Sequence, residues 1–196
     1  YGGFTQGQIS SEAYLDDYAF LIDALLSSLQ ARWRRADLDF AIDLAEAMLE
    51  QFADKEKGGF YFTAHQQPRL IHRSKDYADE AIPAGNGVAA GAFARLGYLV
   101  GETRYIDAAI ATIKAAWAAI QSMPSAHCSL LLALDEVLTA PEILVLRVDD
   151  DVVDEWTHTS NYTPRQLRIV IPNSESELPG ALESLSPEGS FTAYRC

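Results

Sequence analysis

Asp16 and Asp17, the pair Asp79 and Glu80, Asn86, and the histidines His65 and His127 are side chains that can move a proton or hold a polar ligand. Glycoside hydrolysis needs two carboxyl groups flanking the scissile bond. Epimerisation needs one titratable group on each face of the sugar ring. Asp16 and Asp79 are the candidate acid and base for such chemistry. Asp17, Tyr18, Phe62, His65, Glu80, Asn86 and His127 are the candidate ligand contacts, with Tyr18, Phe62 and Asn86 placed to bind sugar. Each has a plainer role beside this one. Acids and asparagines at a helix start satisfy free backbone amides and complement the dipole. A lone histidine more often holds structure than transfers protons, and Phe60, Tyr61 and Phe62 suit the packing of a hairpin. No HxxxH, HxH or Cys–His spacing occurs, so neither a metal nor a cofactor is expected. Cys128 and Cys196 form no CxxC pair and are expected to be reduced thiols without disulfide chemistry of their own.

These residues need elements to bring them together. Leu15, Tyr18, Ile22, Leu25 and Leu29 recur at helical spacing and predict a helix over 13–29 that is apolar over most of its girth. A second helix is predicted from Asp37, its N-cap, to Phe52, with one acidic face. "GGFYFTA" and "RLIHRS" predict a β-hairpin or a long ordered loop from Gly58 to Ser74. A third helix, rich in small residues, follows Asn86. A fourth runs over 104–121 after Thr103 as its cap, and "SAHCSLLLALDEVL" forms a fifth. Helices one, three and five look buried, while two and four look amphipathic. That alternation fits stacked helical hairpins with one helix of each pair inside. The N-termini of the inner helices then share a rim, where the candidate residues gather. From about residue 141 the pattern changes: "EILVLRV", "LRIVI" and "SFTAYRC" predict strands, the first two separated by an acidic loop. The division expected is a partial α/α helical domain over 1–140 and a small α/β appendage over 141–196.

With 196 residues, 48% hydrophobic and 22% charged, the chain has the composition of a globular domain. Its net charge of −13 opposes nucleic acid and anionic membrane as partners. No apolar run approaches the ~20 residues needed to span a bilayer. The first residues lack a charged stretch followed by an apolar one, and the expected location is cytoplasmic. Where a nucleotide-binding unit would carry a glycine-rich turn, the chain has "VDDDVVDE".

"AYLDDYAFLIDALL", "GGFYFTA", Arg73–Asp76, Asp79–Asn86, "HCSLLLALD" and the terminal "TAYRC" occur in this order. Together they resemble the C-terminal part of the spermatogenesis-associated protein 20 family, whose bacterial members are described as thioredoxin-domain proteins. The resemblance implies a thioredoxin-like domain followed by a six-hairpin α/α toroid, similar to glycosidases and sugar 2-epimerases, and then a small C-terminal region. It implies that this chain is a fragment or truncated member. Its fold would be mainly α, an incomplete α/α toroid of stacked helical hairpins with a small β-containing C-terminal appendage. Ala84 and Gly87 stand where the family usually has serines. The Gly-Asp turn expected around "QARWRRAD" is missing, and the chain ends before the family's usual final cysteine. The resemblance carries no catalytic set onto these residues. The expected function is a scaffold or interaction module beside a thioredoxin-like domain or a missing N-terminal part. The alternative is a carbohydrate-active domain of the glycosidase or epimerase type. An open arc would leave the first and fifth helices uncovered. The cover expected is the C-terminal strands folding back, a missing N-terminal part or, by preference, a second copy in a homodimer.

Overall fold

The computed structural model describes residues 3–5, 8–66, 72–158 and 165–196, with side chains from residue 12 onward within those ranges. The architecture is mainly α with a small sheet, as the sequence predicts. A short hairpin of β1 (Gly3–Thr5) and β2 (Gln8–Ser11) precedes the helices. The five main helices are α1 (Leu15–Ala31), α2 (Arg35–Gln51), α3 (Gly85–Val100), α4 (Thr103–Ser122) and α5 (Cys128–Leu138). Two helix starts differ from expectation. Arg34, without a side-chain cap, precedes α2 and leaves Asp37 in the first turn. The Glu102 carboxylate, not Thr103, caps α4 by accepting from the Arg104 amide.

The centre is α3, which packs against α1 on one side, α5 on another and α4 on a third. Ala89, Ala90, Ala92, Phe93, Ala94 and Leu96 are all fully buried. Small side chains let the neighbours come close. A Cβ on Gly85 would lie 2.0 Å from Asp16 Oδ1, and one on Gly87 would lie 1.9 Å from Ser129 Oγ. The first turns of α1, α3 and α5 are therefore side by side. Two turns or more along each helix, Arg95 of α3 pairs with Asp23 of α1 at 2.7 Å and with Glu136 of α5 at 3.2 Å. Starts meet starts and middles meet middles, so the three inner helices run parallel. The outer helices are one-sided. For α2 the buried stripe is Leu38, Ala41, Ala45 and Met48, while Phe40 and Glu50 face outward.

No hairpin forms between Gly58 and Ser74 among the described residues; 67–71 lie outside them. Phe60 makes a single bridge with Ala53, and the chain continues irregularly. Beyond α5, β3 (Glu142–Val148) is the middle strand of a three-stranded sheet. It pairs in parallel with β4 (Gln166–Pro172) and antiparallel with β5 (Phe191–Arg195). The acidic segment expected to be a loop holds a short helix, α6 (Val153–His158); residues 159–164 lie outside those described. Ile143, Val145, Leu167 and Ile169 join the core of the helices. Leu146, Val148 and Val170 point the other way, against Val152, Val153 and Trp156. The alternation of strand side chains thus gives the sheet two apolar faces, one for the helices and one for α6.

Candidate functional site

The N-terminal ends of the inner helices border a cleft of about 500 Å³. Asp16 enters it from the first turn of α1 and His127 from the residue just before α5. The irregular stretch before α3 supplies most of the remaining wall, with Phe62, Asp76, Tyr77, Glu80, Ile82 and Pro83, and α4 adds Ala119.

Six of the nine sequence-predicted residues do not offer a free group to this cleft. Asp17 is exposed and accepts from the Tyr14 amide at 2.8 Å, closing the first turn of α1. Tyr18 is half-buried and tilts against the ring of Phe52 at 5.1 Å. His65 is exposed, its Nδ1 3.3 Å from the Gln51 carbonyl, and it is no part of the cleft wall. Asn86 is wholly buried. It accepts from the Phe60 amide at 2.8 Å and donates to the Phe60 and Asp76 carbonyls at 2.9 and 3.1 Å. It is a clamp holding the irregular segment to α3. The Asp79 carboxylate accepts from the amides of Ala84 and Ser129 at 2.8 and 2.9 Å and from the Ser129 hydroxyl at 2.5 Å. Burial pushes this carboxyl up, but the donors from Ser129, Ala84 and Cys128 outweigh it and hold the group below its ordinary value. Phe62 lines the cleft but stacks on Tyr14, with ring centroids 4.8 Å apart.

The other three are open. Glu80 is an exposed carboxylate on the wall. Asp16 has no hydrogen-bond or ion-pair partner among the described residues. Burial, then the negative charges of Asp17 and Asp76, push its carboxyl above the ordinary value. His127 is 6% exposed, with Nδ1 2.9 Å from the Met123 carbonyl. A carbonyl only accepts, so Nδ1 carries the proton, and in the neutral ring Nε2 is left as an acceptor.

Sequence reasoning missed Asp76, Tyr77 and Ser129. Burial, and then the charge of Asp54, push the Tyr77 hydroxyl up. The stretch "KDYADE" signalled its importance by charge density, yet nothing in it separates wall residues from caps. Ser129 carried no signal, because its role depends on α5 lying beside the Asp79 loop. Lys75 borders the cleft, but its ammonium donates to Asp54 at 2.8 Å and to the Gly58 carbonyl at 2.9 Å. Among the described residues no group of three or more His, Cys, Asp or Glu is arranged to hold a metal. Cys128 and Cys196 are free and exposed. No described helix is long and apolar enough to cross a membrane.

No family model matches the chain. It is similar to spermatogenesis-associated protein 20 of Homo sapiens, 27% identical over 194 residues, covering 93% of this chain and 25% of the relative. The protein of that name from Rattus norvegicus is 30% identical over 169 residues, 83% of this chain and 21% of the relative. That from Mus musculus is 29% identical over the same coverage of 83% and 21%. The chain spans a quarter or less of the length of these curated relatives. Long matches to three relatives of one name, covering the helices and the sheet alike, make the chain a member of the spermatogenesis-associated protein 20 family, corresponding to its C-terminal part.

Proposed function

We propose that this chain is a non-catalytic scaffold or interaction module, cytoplasmic, forming an arc of an α/α toroid that accompanies a thioredoxin-like domain. The observation that carries this reading is the engagement of Asp79. A general acid or base must be free to exchange its proton with substrate. Asp79 instead closes the start of α5 and the turn before α3 through three hydrogen bonds, which removes the acid or base that the sequence paired with Asp16. The free thiols support the same reading, since neither cysteine has a second one beside it to resolve a mixed disulfide.

The carbohydrate-active alternative rests on Asp16, a partnerless carboxyl with a raised pKa in a cleft with aromatic walls. Incubation with aryl glycosides and with reducing N-acylhexosamines, followed by NMR, separates the two. The expected outcome is neither hydrolysis nor epimerisation, and no insulin reduction by the chain alone. Turnover abolished by Asp16→Asn would establish the alternative and end the scaffold reading.

A further inference from the structure

We propose that the cleft between the starts of α1, α3 and α5 is a receptor for an alkylammonium group, an inference that rests on the interaction-module reading and names the ligand chemistry of the same site. The hydrogen-bonding inventory of its walls leads there. Asp16, Asp76 and Glu80 present carboxylates, which when ionised only accept. His127 adds an acceptor. Its Nδ1 proton is committed to Met123, and its ring lines the cleft while 6% exposed. Its Nε2 has no partner among the described residues and does not lie sealed in the core. Among the described residues the one lysine or arginine of the wall, Lys75, points its ammonium at Asp54 and Gly58. Asp76 accepts from the Ser74 hydroxyl at 3.2 Å, and the Tyr77 hydroxyl, the one hydroxyl donor among the described lining side chains, lies against Gly59. The wall thus gathers mostly acceptors and negative charge, with fewer donors than a neutral polyol would need. Two aromatic side chains, Phe62 and Tyr77, border the same space. Ring faces and carboxylates together are the chemistry that holds an organic cation. The strain is visible at Asp16, whose ionisation is opposed by burial and by like charge from Asp17 and Asp76. A cation in the cleft removes that opposition.

The ammonium can come from a free amine or from a lysine side chain of a partner protein. The test is an amide-resolved NMR titration at neutral pH with n-butylammonium, with a capped peptide carrying one internal lysine, and with n-butanol and methyl glucoside as neutral controls. Saturable shifts at Asp16, Tyr77 and His127 with the cations, and none with the neutral compounds, are expected. Tighter binding of the peptide identifies a partner's lysine; equal or weaker binding identifies a free amine. Asp16→Asn should weaken binding about tenfold, the loss of one charge-assisted hydrogen bond. His127→Asn keeps a donor for the Met123 carbonyl, removes Nε2 and should weaken binding severalfold. Equal shifts with butanol or methyl glucoside, or undiminished binding by a folded Asp16→Asn chain, would overturn the proposal. Glycoside turnover bears instead on the non-catalytic reading, so the two failures are distinguishable.

Discussion

Asp16 and Asp79 carry the same carboxyl group in opposite situations. Asp79 is surrounded by donors, which hold its pKa down despite partial burial. Its contribution to stability is present above the unfolded value of 3.8 and is lost as pH falls through the folded value. Asp16 has no donors, and its pKa is raised by burial and like charge, so its ionised form works against folding at neutral pH and the opposition is relieved on acidification. Two substitutions of the same chemistry should therefore diverge. Asp79→Asn should cost about 1–2 kcal/mol at neutral pH, because both carboxylate oxygens accept and the amide NH2 of Asn would leave a donor unsatisfied. Asp16→Asn should leave the melting temperature unchanged or raise it. Both differences from the parent should shrink as pH falls toward the carboxylate range. Thermal melts across acid to neutral pH check this, and an equal loss from both substitutions at neutral pH would show that Asp16 also supports the fold. The sequence could not separate the two. Each acid lies near the start of an inner helix, and only the position of Ser129 on a distant helix decides that Asp79 is a cap.

At the scale of elements, all five main helices were legible because apolar side chains recur with the helical period and Pro, Gly or a charged cap interrupts them. Of the two readings of 58–74, the described residues follow the ordered loop and not the hairpin, for an identifiable reason. "GGFYFTA" has strand-forming side chains, but its backbone finds several partners instead of one strand. The Phe60 amide and carbonyl go to the Asn86 side chain, the Tyr61 amide to Phe52, the Phe62 amide to Ser74 and the Phe62 carbonyl to Leu15. Gly58 and Gly59 both have left-handed backbone, which turns the chain away from an extended path. The helix α6 was hidden because six residues are too few to establish a period. The parallel packing of the inner helices depends on Gly87. Its missing side chain is the space that Ser129 occupies. Gly87→Ala should therefore cost about 1–3 kcal/mol, the usual penalty for overfilling a packed interior. Ser129→Gly in the same chain keeps the amide that donates to Asp79 while removing the obstruction. Denaturant melts of the two single variants and the double should show a double less destabilised than the sum. Strict additivity would mean that α3 and α5 do not press on one another at this level.

For the whole molecule, the question posed by the sequence is what covers the two inner helices at the ends of the row. The structure answers it for one of them. Both β4 and α6 pack against α1, and strand residues share its core. The attachment is close: a Cβ on Gly180, in the loop before β5, would lie 2.1 Å from the Val100 carbonyl at the end of α3, and Arg35 of α2 donates to the Glu177 carbonyl at 2.7 Å. The opposite end is different. Among the described residues α5 packs mainly against α3, α4 and the turn before it, Arg165 reaches its Asp135 at 2.6 Å, and Leu132 and Leu138 are 69% and 74% exposed. Periodicity could show that α5 is apolar nearly all round. It could not show which apolar helix the sheet would reach, because that depends on how β3 leaves α5 and returns beneath the bundle. We propose that the homodimer expected from the sequence, where it forms, uses a two-fold contact through α5. Removing two exposed leucines from such a contact should be felt in association and hardly at all in the fold, since they touch little within one copy. Sedimentation equilibrium should find dimers of the unaltered chain, and the Leu132→Glu, Leu138→Glu chain should run as a monomer with nearly the same melting temperature. Dimers that persist in the double variant would place the contact elsewhere. A monomeric parent at high concentration would leave α5 a face without a second copy on it.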